Sequence, residues 1–118
     1  MWERHNVAGQ QALSQGKPVE AESQFKLALA EAEKLGANSA PVAQVLLNLA
    51  NTYRQQGKYA DAEPAYKRAL EVKERGVGPL HKETVPFLEN YSKMLRAAGR
   101  TAEAEKLDKK AIAIFSKN

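Results

Sequence analysis

Apolar positions recur at helical spacing in six stretches of the chain, and no stretch shows the two-residue alternation of a strand. The strongest pattern is Leu46–Val72, LLNLANTYRQQGKYADAEPAYKRALEV, which predicts two amphipathic helices joined by a tight turn at Gly57-Lys58. The first is expected from about Pro41 to Gln56, burying Val45, Leu46, Leu49, Ala50 and Tyr53. The second is expected from about Ala60 to Arg75, with Ala62, Tyr66, Ala69, Leu70 and either Val72 or the stem of Lys73 inward. Pro64 lies about one turn inside it, where it removes a backbone donor and is expected to bend the start of the helix.

The flanking stretches follow the same plan. Trp2 to Gln15 places Val7, Ala8, Ala12 and Leu13 on one stripe, with Gly9 as a point of close approach. Gly16-Lys17 ends it and Pro18 opens the next helix, which carries Ala21, Phe25, Ala28, Leu29 and Ala32 to about Leu35. Gly36 fits a C-terminal cap and Ser39 an N-cap. Gly76-Val77-Gly78-Pro79 is a turn. A fifth helix is expected from about Lys82–Thr84, burying Phe87 or Leu88, Tyr91, Met94, Leu95 and Ala98. The sixth is expected over Thr101–Ser116, with Thr101 as its N-cap and Ala104, Leu107, Ala111, Ile112 and Phe115 inward.

These six helices are three copies of one unit. Gly16 to Gly57 is 41 residues and Gly57 to Gly99 is 42. At the same offsets Ala21, Ala62 and Ala104 coincide, as do Ala28, Ala69 and Ala111, then Leu29, Leu70 and Ile112. The shared text is GKPVEAESQFKLAL, GKYADAEPAYKRAL and GRTAEAEKLDKKAI. One helical hairpin cannot bury its own apolar stripe, whereas three stacked hairpins share a continuous core.

Composition narrows the function. The 118 residues suffice for one domain with a core. There is no cysteine, which excludes a disulfide frame, a thiolate nucleophile and a thiolate metal site. His5 and His81 lie in different copies without ligand-spaced partners, so neither a metal nor another cofactor is expected. Ser and Thr are scattered without a nucleophile motif, and Gly76-x-Gly78 lacks the strand-then-helix setting of a phosphate loop, so no enzyme is expected. No apolar run is long enough to span a membrane, and MWERHNVAGQQ has no apolar signal core, so a cytoplasmic protein is expected. The net charge of +4 is uneven: residues 53–118 carry fourteen Lys/Arg against nine Asp/Glu.

The stretch LLNLANTYRQQGKYADAEPAYKRALEVKERGVGPLH resembles the tetratricopeptide repeat in its kinesin-light-chain-like variety, with repeats of about 42 residues. The typical text of that variety is close to LNNLA-x-Y-x-x-Q-G-[KR]-Y-x-E-A-E-P-L-Y-K-R-A-L-E. The resemblance covers essentially the whole chain, more loosely in the first and third copies. It implies an all-α, right-handed α-solenoid of three antiparallel helix pairs, about 2–38, 39–80 and 81–117, within one domain. It also implies a non-catalytic protein-interaction scaffold or adaptor in which the first helix of each pair lines the concave face. The third copy looks like a terminal repeat: Asp108 stands where a large aromatic or aliphatic residue is expected. His81 matches the histidine of the family's GPDH loop, where its role looks structural, at the start of the following helix.

The candidate binding residues are first-helix positions that point away from the expected core. They are Glu3, Asn6 and Gln10 in the first copy, Gln44, Asn48, Asn51 and Gln55 in the second, and Glu89, Asn90, Lys93 and Arg96 in the third. Amides dominate, and each offers a donor and an acceptor to an extended peptide whatever its side chains. Asn48 and Asn90 match the second Asn of LNNLA, which the resemblance implies contacts peptide backbone; Val7 interrupts the series in the first copy. Lys93 and Arg96 are candidates for a cationic end to the groove. Of the positions aligned with the carboxylate-clamp subclass of these repeats, only Asn48 agrees, so binding of chaperone C-terminal tails is not expected. The expected partner is therefore a protein or peptide, bound as an extended segment or a helix, and the chain itself is expected to be a monomer that at most self-associates weakly. Two alternatives are self-association through the open terminal helix, which leaves apolar surface uncovered, and RNA binding through the basic second half. The scarcity of aromatics free to stack on bases argues against nucleic acid.

Overall fold

A computed structural model describes residues 1–117. Among these residues there are six α-helices and no strand: α1 Trp2–Ser14, α2 Pro18–Glu33, α3 Ala40–Gln55, α4 Tyr59–Val77, α5 Val85–Ala97 and α6 Thr101–Lys117. A single 3₁₀ turn, Lys82–Thr84, leads into α5. None of the helices is long and apolar enough to cross a membrane.

Each hairpin closes through the same turn. The amide of Lys17 bonds to the carbonyl of Ala12 at 2.8 Å, that of Lys58 to Tyr53 at 2.9 Å, and that of Arg100 to Leu95 at 2.8 Å. In each case the preceding glycine has positive φ (72°, 75° and 79° for Gly16, Gly57 and Gly99). This is the Schellman termination, which a residue with a Cβ adopts only at a cost. The repeat of sequence is therefore a repeat of backbone geometry.

The hairpins stack serially: α2 packs on α3, and α4 on α5. The central core comprises Val42, Leu46, Ala50, Ala62, Tyr66, Ala69, Phe87, Tyr91, Met94 and Leu95. Phe25, Ala28, Val45 and Leu49 join the first hairpin to the second. Tyr66 and Tyr91 stack across the second junction, with centroids 5.6 Å apart and planes at 4°. Pro64 stays on the exposed side of α4, and the helix continues through it.

Inter-hairpin ion pairs repeat as well. Glu22 meets Lys58 at 3.3 Å, and one repeat later Glu63 meets Arg100 at 2.8 Å. Glu33 meets Arg68 at 2.9 Å, and one repeat later Glu74 meets Lys110 at 2.7 Å.

Several expectations need correction. Gly76 and Val77 lie inside α4, which is capped at Gly78, so the turn begins later than the glycines suggest. The C-cap of α2 is Lys34 rather than Gly36. In α6 the inward stripe is Ala104, Leu107, Ala111 and Ile114, whereas Ile112 and Phe115 are 64% and 63% exposed. The sequence pattern merges two faces there, one toward α5 and one that in the earlier hairpins meets the next hairpin. Val7 is 49% exposed, so it lies off the buried stripe of α1. Ser39 occupies the N-cap position of α3, but its Oγ makes no cap bond. Thr101 is the first residue inside α6 rather than its cap.

Candidate functional site

Helix α1 touches α3, and α3 touches α5, while α2 and α4 make no comparable approach, nor do α4 and α6. The side on which alternate helices converge is the inside of a curve. The first helices α1, α3 and α5 therefore form the concave wall, which carries the amide positions singled out from the sequence.

Asn6 and Asn48 come together at the centre of that wall. Asn48 Nδ2 donates to Asn6 Oδ1 at 2.8 Å. Gln44 Nε2 reaches Asn48 Oδ1 at 3.5 Å, a long bond that still limits the amide's rotation. Asn6 is only 8% exposed, so it is a buried support for Asn48 rather than a free contact. Asn48 itself is half-buried and held from two helices.

The remaining positions divide by what already holds them. Asn51 accepts a hydrogen bond from the Tyr66 hydroxyl of α4, which draws its carbonyl toward the core. Burial pushes the Tyr66 hydroxyl up to about 12, against the opposing effect of nearby Arg54, so it remains a donor at ordinary pH. Asn90 Nδ2 donates to the Pro86 carbonyl at 2.7 Å, leaving its Oδ1 as an open acceptor. Arg96 pairs with Asp108, which also accepts from Ser92 Oγ at 2.6 Å. The Ser92 hydroxyl and then Arg96 hold the Asp108 carboxyl below the usual range, so the charge of Arg96 is compensated. Among the described residues Lys93 is the cation of α5 that makes no ion pair. Gln10 and Gln55 are exposed, as are Glu3 and Glu89 at the rim.

Arg54 belongs to this site and was not singled out by the sequence reading. It sits in the last turn of α3, half-buried beside Tyr66, with its Nε buried and unpaired. It occupies the register of Arg96 one repeat earlier, and that coincidence was the available signal. Leu47, 7% exposed, lies next to Asn48, and Val7 stands at the register of Asn48 and Asn90.

Much of the basic charge of the second half is committed. Lys58, Lys67, Arg68, Lys73, Arg96, Arg100 and Lys110 all meet carboxylates within 4.0 Å or less. The excess of Lys and Arg there serves largely to tie helices and hairpins together.

A stack of helical hairpins with a polar inner wall and no other layer defines an α-solenoid. The sequence matches the family model for the tetratricopeptide repeat over residues 4–75 and again over 42–117. The chain belongs to the tetratricopeptide repeat family. No curated protein matches it closely enough to count as a relative. Among solved structures, BtubC (BKLC) from P. vanneervenii superposes with a TM-score of 0.93 at 24% identity, over 99% of this chain and 46% of that one. The TPR domain of Arabidopsis FLU gives 0.86 at 20% identity, covering 99% and 96% of the two chains. A Podosopora anserina kinesin light chain structure of nearly identical TPR-like repeats gives 0.86 at 17% identity, covering 98% and 55%. The chain thus spans less than half of the first of these proteins. Superpositions of this quality require the same all-α repeat architecture and the same handedness as those structures.

Proposed function

We propose that the chain is a non-catalytic scaffold that holds an extended peptide, or one face of a partner helix, along α1, α3 and α5. Tetratricopeptide repeats mediate protein–protein interactions, and this chain carries that family's unit over its whole length. The observation that carries the finer reading is the Asn48 amide, fixed by Asn6 and Gln44 at the middle of the concave wall. A side-chain amide already immobilised loses little further freedom when it pairs with a peptide backbone. Asn90 offers its free carbonyl oxygen one repeat further on. Gln10 and Gln55 supply adaptable donors and acceptors at the rim, Gln44 holds Asn48, and Asn51 and Arg96 shape the wall while bonded to Tyr66 and Asp108. Lys93 and Arg54 favour a ligand with an acidic residue near the α5 side, since cations flank that stretch of groove.

An unbiased peptide-library screen, followed by Asn48→Ala and Asn90→Ala, tests the assignment. Capture of a peptide set that both substitutions weaken is the expected result. Peptides retained equally by the doubly substituted protein, with its helix content unchanged, would leave the groove without a role.

A further inference from the structure

The last hairpin ends on a face lined by Glu89, Asp108, Ala111, Ile112 and Phe115. Register shows what such a face meets elsewhere. Ile112 occupies the position of Leu29 and Leu70, each of which packs where one hairpin joins the next. Glu105 occupies the position of Glu22 and Glu63, which pair with Lys58 and Arg100 in the turn of the following hairpin. Glu105 is exposed and makes no ion pair among the described residues. At the other end of the stack the turn residue in the register of Lys58 and Arg100 is Lys17, also exposed and without an ion pair among the described residues. The two outer faces of the described stack therefore carry the two halves of an ion pair that is made twice inside it.

A second register points the same way. Lys73 of α4 lies over the Phe87 ring of α5, with Nζ 6.0 Å from the centroid. One repeat on from Lys73 is Phe115, and two repeats back from Phe87 is Arg4, which is exposed. Ring and cation have exchanged sides, and a cation over an aromatic face is attractive in either order.

We propose that a second copy of this chain stacks head to tail on this end. Its α1 and α1–α2 turn take the place on the third hairpin that α5 and the α5–α6 turn take on the second. Lys17 of the incoming copy pairs with Glu105, Arg4 covers Phe115, and Trp2 approaches Ile112. The junction is weaker than those within the chain. The pair Glu33–Arg68, repeated as Glu74–Lys110, would continue as Ser116 and Leu27, which carry no charge. Because the same contact recurs at every junction, assembly is open-ended rather than closed into a symmetric dimer.

Sedimentation velocity from about 10 µM to about 1 mM reads this directly, since association at that strength appears only as concentration rises. The expected result is a sedimentation coefficient that grows with concentration. Lys17→Glu and Glu105→Lys should each weaken association by about tenfold, by setting like charges against each other. The protein carrying both substitutions, and an equimolar mixture of the two single variants, should recover it. All three substituted positions are exposed, so folding is not at stake, and Phe115→Ser should act like the single charge reversals. A wild-type chain that stays monomeric across the range overturns the proposal. So does a Lys17→Glu variant that associates as well as wild type, the signature of a tail-to-tail dimer, or a double reversal that fails to recover.

Discussion

A Cβ added to Gly9 of α1 would lie 2.6 Å from Cε1 of Phe25 in α2. The ring rests directly on the backbone of the neighbouring helix. In the same register the later hairpins oppose Ala50 to Tyr66 and Ser92 to Asp108, so only the first hairpin has a residue without a Cβ there. Gly9→Ala should therefore destabilise despite adding a better helix former. Overpacking costs about 1–3 kcal/mol, which outweighs a propensity gain of about 1 kcal/mol. Urea denaturation should show a lower midpoint with little change in slope.

The bond between Asn48 and Asn6 predicts coupled substitutions. Replacing either residue with Ala should cost about 1 kcal/mol, the net worth of one hydrogen bond. Replacing both should cost less than the sum, because the second change finds the bond already absent. An additive double-mutant cycle would mean that the two amides do not depend on each other.

His81 starts the last hairpin. Its Nδ1 accepts the Glu83 amide at 3.0 Å, while Thr84 Oγ1 donates to the His81 carbonyl at 2.7 Å. His81→Ala should cost about 1 kcal/mol, as loss of an N-cap does, and His81→Asn should restore most of it. Thermal melts of the two variants decide the point; equal melting temperatures would leave the ring without a capping role.

Acid should loosen the junctions between hairpins. Glu22 accepts from Lys26 at 2.8 Å, Gln56 at 3.0 Å and Lys58 at 3.3 Å. Those bonds, led by that from Lys26, lower its carboxyl from 4.5 to about 2. Glu63 is lowered in the same way, chiefly by Arg100. Between 4.5 and about 2 the unfolded chain binds the proton that folded Glu22 refuses, so falling pH favours unfolding. The contribution is full above 4.5 and gone below about 2. Glu22→Gln should lose about 1 kcal/mol at neutral pH, as a networked surface charge does, and should show a shallower decline with acid. Denaturation across a pH series measures both.

The hairpins and their turns were legible in the sequence because each boundary carries its own chemical mark. Gly16, Gly57 and Gly99 stand where the backbone needs positive φ, and the small residues recur at fixed distances from them. The last helix was harder to read. Ile112, Ile114 and Phe115 are all apolar, and periodicity alone cannot separate a face that packs inward from one prepared for a further layer. The groove was legible as a set of positions but not as a set of contacts. Asn6 and Asn51 have the same residue type as Asn48, yet one is buried against α3 and the other turned to Tyr66. Those partners lie one helix or one repeat away, beyond what local spacing records. Arg54 was hidden because a lone arginine in the last turn of a helix ordinarily reads as a favourable charge near its carboxyl end.

Each hairpin leans only on its immediate neighbours, so the middle pair, α3 and α4, is sheltered from both directions while the outer pairs are sheltered from one. Amide protons should accordingly exchange slowest in the centre, with opening that begins at either margin. A guest lying across all three inner helices would have most to contribute where the chain is loosest. Its arrival should register as slowed exchange at the two extremities, with scarcely any change in the middle.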